Sequence, residues 1–223
     1  MASHQPAVHR AIVVVDVEGF SDPSRTNTDQ LAVRKGLYKA LVWSFARAGI
    51  DIDVGGCDYD RGDGALILVP PHIPKILLVT KWPARLATAL NRHNAASGPG
   101  AQVRLRIAVH AGEVVYDGHG VTGNAINRTF RMVQAPALKE ALACSPGACA
   151  LIVSEWIYDE VVRHDPQACP ARYRQVHVVV KETRATAWLR AGDDRISRGR
   201  IRRAGPAQDQ RSRRRDVLTV QPA

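Results

Sequence analysis

The chain has 223 residues, 45% of them hydrophobic and 23% charged, enough for one domain with a sizeable core and a tail. No apolar run nears the ~20 residues that span a bilayer. The first ten residues carry no apolar stretch behind a basic start, so a cytoplasmic chain without a secretory leader is expected. The net charge of +10 suggests a nucleic-acid binder until it is divided: Arg195 to Asp216 holds nine arginines and two aspartates, leaving 22 basic against 19 acidic residues elsewhere.

The body is thus only mildly basic. From Gly192 onward, Arg, Gly, Ser, Gln and Pro predominate, and residues 192–223 are expected to stay disordered. Such a tail could touch phosphates non-specifically, but a solvated tail accounts for it without a nucleic-acid partner. Cys57, Cys144, Cys149 and Cys169 show no C-x-x-C spacing. Free thiols are the simpler reading, and Cys144, Cys149 and His164 fit no common zinc pattern.

Residues 1–9 read as an extension. Ala11 to Val17 is an apolar β-branched run ending beside an acid, the pattern of a buried central strand. Asp22 to Asn27 is turn-rich, and Thr28 to Ala48 has helical spacing with Gly49 as its stop. Ile50 to Cys57 and Ala65 to Val69 read as two strands of a hairpin around the acidic turn Asp58 to Gly64. Ile76 to Ala96 is a second helix. Val103 to His110 and Glu113 to Val115 are strands broken at Ala111-Gly112. Asn124 to Ala143 is a third helix with a kink or stop at Pro136. Ala150 to Val153 is a strand, Ser154 caps a short helix to Val162, and Tyr173 to Val180 and Ala185 to Leu189 are closing strands. The core order is βαββαβ. The expected fold is therefore α+β, a split ferredoxin-like sheet with helices on one face, over residues 10–191.

Asp16 ends the first strand and Asp63 sits between Gly62 and Gly64 in the hairpin turn. In a split βαββαβ sheet the first strand lies beside the hairpin, so both carboxylates can converge at one sheet edge. Two such carboxylates repel unless neutralised, and a divalent cation neutralises them while also engaging phosphate oxygens. Gly19 would let backbone N–H groups approach a phosphate. Either aspartate alone is explained by a cap or a turn; the pair is not.

Four segments in order carry a resemblance: Val13-Val-Val-Asp-Val-Glu-Gly-Phe-Ser21, Arg61-Gly-Asp-Gly64, Arg106-Ile-Ala-Val-His-Ala-Gly112 and Gly123-Asn-Ala-Ile-Asn-Arg-Thr-Phe-Arg131. Together they resemble the class III adenylate and guanylate cyclase catalytic domains. The resemblance implies internal phosphoryl transfer on a nucleoside triphosphate, with pyrophosphate leaving. Asp16, Asp63 and the carbonyl of Val17 would hold two divalent ions, Mn2+ or Mg2+. The N–H groups of Glu18, Gly19 and Phe20 would cradle phosphates, aided by Lys181 or Arg184. Asn127 would orient the ribose and Arg131 the α-phosphate. The resemblance also implies a homodimer with each site shared between subunits. Arg128 reads as a surface charge and His110 as a structural histidine.

The departures lie at the base. Four positions before Asp63 the family has Lys or Glu, and here stands Tyr59. Seven positions before Asn127 it has Asp or Cys, and here stands Gly120. A bulky phenol shrinks the base pocket and resembles the bacterial anti-phage pyrimidine cyclases. The expected activity is therefore a pyrimidine cyclase, UTP ahead of CTP, feeding a cyclic-nucleotide-sensing effector. A purine cyclase with unusual base contacts and a non-catalytic nucleotide-binding module are the alternatives.

Overall fold

The computed structural model describes residues 6–52 and 62–191. The first strand, β1 (Val8–Val17), lies between β2 (Gly64–Val69) and β3 (Leu105–Asp117), antiparallel to both. β3 continues the sheet in parallel to β5 (Cys149–Ser154). β5 pairs with β7 (Thr183–Ala191), and β7 with β6 (Arg174–Val180). A short β4 (Gly120–Thr122) folds back onto the end of β3. Among the described residues the order is β2-β1-β3-β5-β7-β6.

The α+β class and the split sheet are as expected, but the helices cover both faces rather than one. Ala11, Val13, Val15 and Val17 of β1 pack with α1 (Asn27–Ala48) and α3 (Lys81–Ala95). Ile12 and Val14 pack on the opposite face with α4 (Asn124–Val133) and α5 (Pro136–Ala143). A strand buried on both faces has no polar side to alternate with, which explains its continuous apolar run.

Helix α1 starts on a reciprocal cap: Thr26 Oγ1 accepts from the Asp29 amide at 3.2 Å, and Asp29 Oδ2 accepts from the Thr26 amide at 2.9 Å. It stops at Gly49, which takes φ 75°. The expected second helix is two, α2 (Ile76–Val79) and α3, parted at Thr80. Thr80 Oγ1 donates to the Ile76 carbonyl at 2.7 Å, drawing that acceptor toward a side chain. The third helix is likewise divided, with Pro136 as the first residue of α5.

The expected break at Ala111-Gly112 is absent. β3 runs through it, with Gly112 paired to Arg10. Gly112 is there for close approach: a Cβ on it would stand 2.7 Å from the Ala125 Cβ of α4. The strand expected over Ile50 to Cys57 lies mostly outside the described residues, and Ile50 to Ile52 are irregular. The tail 192–223 also lies outside them.

Gly64 fixes the geometry that matters below. It pairs with Asp16, and a Cβ added to it would stand 2.1 Å from the Val15 carbonyl oxygen, a backbone atom with no rotamer to yield. We expect Gly64→Ala to cost about 1–3 kcal/mol in urea denaturation, the range of an overpacked core. An unchanged midpoint would show that the β1–β2 pairing relaxes freely.

Candidate active site

Asp16 is the penultimate residue of β1, and Asp63 directly precedes β2. The Val17 amide donates to the Asp63 carbonyl at 2.8 Å, so the two acidic residues are neighbours across one strand pair. Burial pushes the Asp16 carboxyl above its usual range. The Arg106 guanidinium opposes that shift, and the Asp63 charge adds to it.

Arg106 faces Asp16 in the β1–β3 register. Its Nε donates to Asp16 Oδ2 at 2.6 Å, and its terminal nitrogen pairs with the same oxygen. The side chains are 16% and 21% exposed, so the pair is poorly hydrated. Arg106 opens the segment Arg106 to Gly112, but the sequence does not show its partner. Only the register sets it opposite Asp16.

The donor set fits a hard divalent cation: one carboxylate near the end of β1, one at the turn before β2, plus backbone oxygen. Among the described residues no group of three or more His, Cys, Asp or Glu gathers to hold a metal. A cation at Asp16 and Asp63 therefore needs further oxygens, which phosphates would supply.

The segment after β1 departs from expectation at one point. The Glu18 amide donates to the Arg104 carbonyl at 2.9 Å, extending the β1–β3 pairing, so it is not free to meet a phosphate. The Glu18 carboxylate pairs with Arg104 at 3.2 Å, and its carbonyl accepts from Arg25 at 3.4 Å. Gly19 takes φ 63° and turns the chain, and Phe20 packs against the core. The Glu18 amide therefore drops out of the cradle expected over Glu18 to Phe20.

Asn127 and Arg131 lie one turn apart on α4, away from its buried residues Ile126, Thr129, Met132 and Val133. Arg131 reaches the β6–β7 turn, where its guanidinium meets Glu182 Oε1 at 3.2 Å. Lys181 occupies the same turn at φ 51°. Arg184 begins on β7 and lines a cleft with Arg128 instead. Gly120 opens β4 at φ 136°, in open space. Tyr59 lies outside the described residues.

The two halves stand at opposite ends of the sheet. Asp16, Arg106, Ala150 and Ala191 form one row across β1, β3, β5 and β7. The turn holding Glu182 is at the other end of β7, about 30 Å along the strand. One copy does not bring the aspartates to Arg131.

His110 is buried, with Nδ1 2.9 Å from Ser154 Oγ. Burial and then the Arg128 charge lower its pKa to about 4, so it is neutral near pH 7. This matches the structural role expected for it.

No protein-family model and no curated protein matches this chain. Solved structures do. The guanylyl cyclase Cya2 superposes with a TM-score of 0.58 at 16% identity, over 83% of this chain and 91% of that one. The adenylate/guanylate cyclase/hydrolase from Silicibacter pomeroyi gives 0.58 at 20% identity, over 85% and 100%. The adenylyl cyclase CyaB from P. aeruginosa gives 0.52 at 12% identity, over 82% and 95%.

The Asp16–Arg106 pair yields a test. A carboxyl whose folded pKa is raised favours the folded state below its unfolded pKa and loses that advantage as pH rises through the folded value. Without Arg106 the Asp16 pKa rises further and the ionised form is unpaired. In chelator at pH 7, Arg106→Gln should lose about 1.5–3 kcal/mol by urea denaturation, and less at low pH where Asp16 is protonated. Equal stability of variant and parent at pH 7 would remove the pair from the account. At the level of fold, the chain shares the architecture of class III adenylate and guanylate cyclase catalytic domains.

Proposed function

We propose that this chain is a nucleotidyl cyclase, and that it converts a pyrimidine nucleoside triphosphate, UTP ahead of CTP, into the 3′,5′-cyclic monophosphate and pyrophosphate. The observation that carries the reading is the meeting of Asp16 and Asp63 across the β1–β2 pair, within the fold of cyclase catalytic domains. An acidic pair at a strand end has little structural value of its own, because the two charges repel.

In this reading Asp16 and Asp63 hold two divalent ions, with the Val17 carbonyl as a further ligand. Bound there, the ions would lower the pKa of the ribose 3′-hydroxyl and offset charge on the phosphates. The chain's own residues do the rest. Gly19 and Phe20 present backbone N–H groups to the phosphates. Asn127 orients the ribose. Arg131 stabilises charge on the α-phosphate as the 3′-oxygen bonds to phosphorus and pyrophosphate departs. Glu182 steadies the Arg131 guanidinium between turnovers. Lys181, in the turn that Arg131 touches, is a better placed partner for the triphosphate than Arg184.

The two halves are about 30 Å apart in one copy, so the reading requires a homodimer in which each site takes its aspartates from one copy and its Asn127, Arg131 and Lys181 from the other. Tyr59 and Gly120 are the residues assigned to the base, and they carry the choice of a pyrimidine. With that choice comes a role as a second-messenger synthase in anti-phage defence, acting on a cyclic-nucleotide-sensing effector. No helix among the described residues is long and apolar enough to cross a membrane.

The test is incubation of the full chain with each of the four nucleoside triphosphates and Mn2+. We expect cyclic UMP, with cyclic CMP second, and a loss of at least about 100-fold in Asp63→Asn. Cyclic AMP or GMP as main product would replace the pyrimidine assignment. No cyclic nucleotide and no pyrophosphate from any substrate would overturn the cyclase reading.

A further inference from the structure

A cleft of about 590 Å3 opens beside α4, at the end of the sheet far from Asp16. Its walls come from β3 at His110, α4 at Arg128, α6 (Glu155–Ile157) at Trp156, β6 at His177 and Val179, and β7 at Arg184. Its volume suits a drug-sized or nucleotide-sized molecule.

Two features of this cleft are unexplained by folding. The first is charge. Arg128 and Arg184 both line it, and neither side chain has a hydrogen bond or ion pair among the described residues. The Arg128 charge reaches the cleft floor, because it helps depress the buried His110. Glu155 is the one carboxylate in the lining, set against two guanidiniums. The second is apolar surface. Trp156 is 43% exposed and Val179 53%, and both are among the few large hydrophobic side chains exposed in the described residues. The Trp156 ring makes a tilted contact with His9 at 6.1 Å between centroids and leaves much of its surface open to the cleft. A ligand with a phosphate and a flat ring would satisfy both features at once.

We propose that this cleft is a second binding site, separate from the catalytic one, for a phosphate ester carrying a planar ring, the class to which mononucleotides belong. The phosphate lies between Arg128 and Arg184. The ring lies against Trp156 and Val179. Arg128 and Arg131 are three residues apart on α4, but they serve different places: Arg131 pairs with Glu182 in the β6–β7 turn, and Arg128 lines the cleft. The site does not rest on the cyclase reading, since it uses neither aspartate and no metal.

Calorimetric titration of the full chain in chelator, where no turnover occurs, tests it. The probes are uridine 5′-monophosphate and inorganic phosphate. We expect both to bind, the nucleotide more tightly. Arg128→Ala and, separately, Arg184→Ala should weaken both by about tenfold or more. Trp156→Ala should weaken the nucleotide and spare inorganic phosphate. Arg131→Ala should weaken both by much less than Arg128→Ala does. Both arginines of the cleft are exposed, so their removal spares the core. Phosphate binding without any preference for the nucleotide would overturn the ring-binding half. Absence of binding, or equal affinity in the Arg128 and Arg184 variants, would overturn the site. A loss in Arg131→Ala as large as in Arg128→Ala would place the ligand in the catalytic centre instead. The outcomes at Arg128, Arg184 and Trp156 do not depend on whether the chain makes a cyclic nucleotide.

Discussion

The pairing of Asp16 with Arg106 across two antiparallel strands is the interaction around which the candidate site is built. β1 is buried on both faces and hydrogen-bonded on both edges, so its end is held rigidly. There burial, and to a lesser degree the Asp63 charge, disfavour the ionised form of the Asp16 carboxyl. Arg106 opposes this by placing two donors on one carboxylate oxygen. Removing a partner from such a pair leaves a poorly hydrated charge, which costs more than the pair is worth.

The second constraint is distance. A sheet whose strands keep register does not bend one end onto the other. The row through Asp16 and Ala150 and the turn at Lys181 and Glu182 are fixed relative to each other by β5, β6 and β7. Any chemistry that uses both ends must use two copies. In the proposed dimer, the internal tie between Arg131 and Glu182 would be a resting contact for a side chain that serves a site shared with the other copy. Glu182 is highly exposed, so that tie contributes little stability and yields readily.

Much of the fold was legible in the sequence for identifiable reasons. The run at Ala11 to Val17 has no polar interruptions, and a strand buried on both faces looks like that. Gly49 and Pro136 punctuated their helices as their backbone preferences require. Other features turn on contacts that sequence does not display. Gly112 reads as a breaker, yet it stays in the strand because α4 presses against it. Thr80 reads as a helix residue, yet its side chain and Pro83 sit at a division. The division of helices between two faces depends on which parity of each strand meets which helix, and a βαββαβ pattern alone leaves that open. At the site, Asp16 and Asp63 could be named from their place beside turns. Arg106 could not, because its partner is set by register. The Glu18 amide, expected to face a phosphate, is taken by Arg104 for the same reason.

The central claim is that one reaction centre is assembled from Asp16 and Asp63 of one copy and Asn127 and Arg131 of another. Mixing two variants, each inactive by itself, tests it most directly. Asp16→Asn and Arg131→Ala are purified separately, mixed in equal amounts after reversible dissociation, and assayed for cyclic nucleotide. In a randomly reassociated mixture half of the dimers carry one intact site of two, so the account predicts recovery to about a quarter of the parent activity. No recovery from a mixture shown to exchange subunits would contradict it.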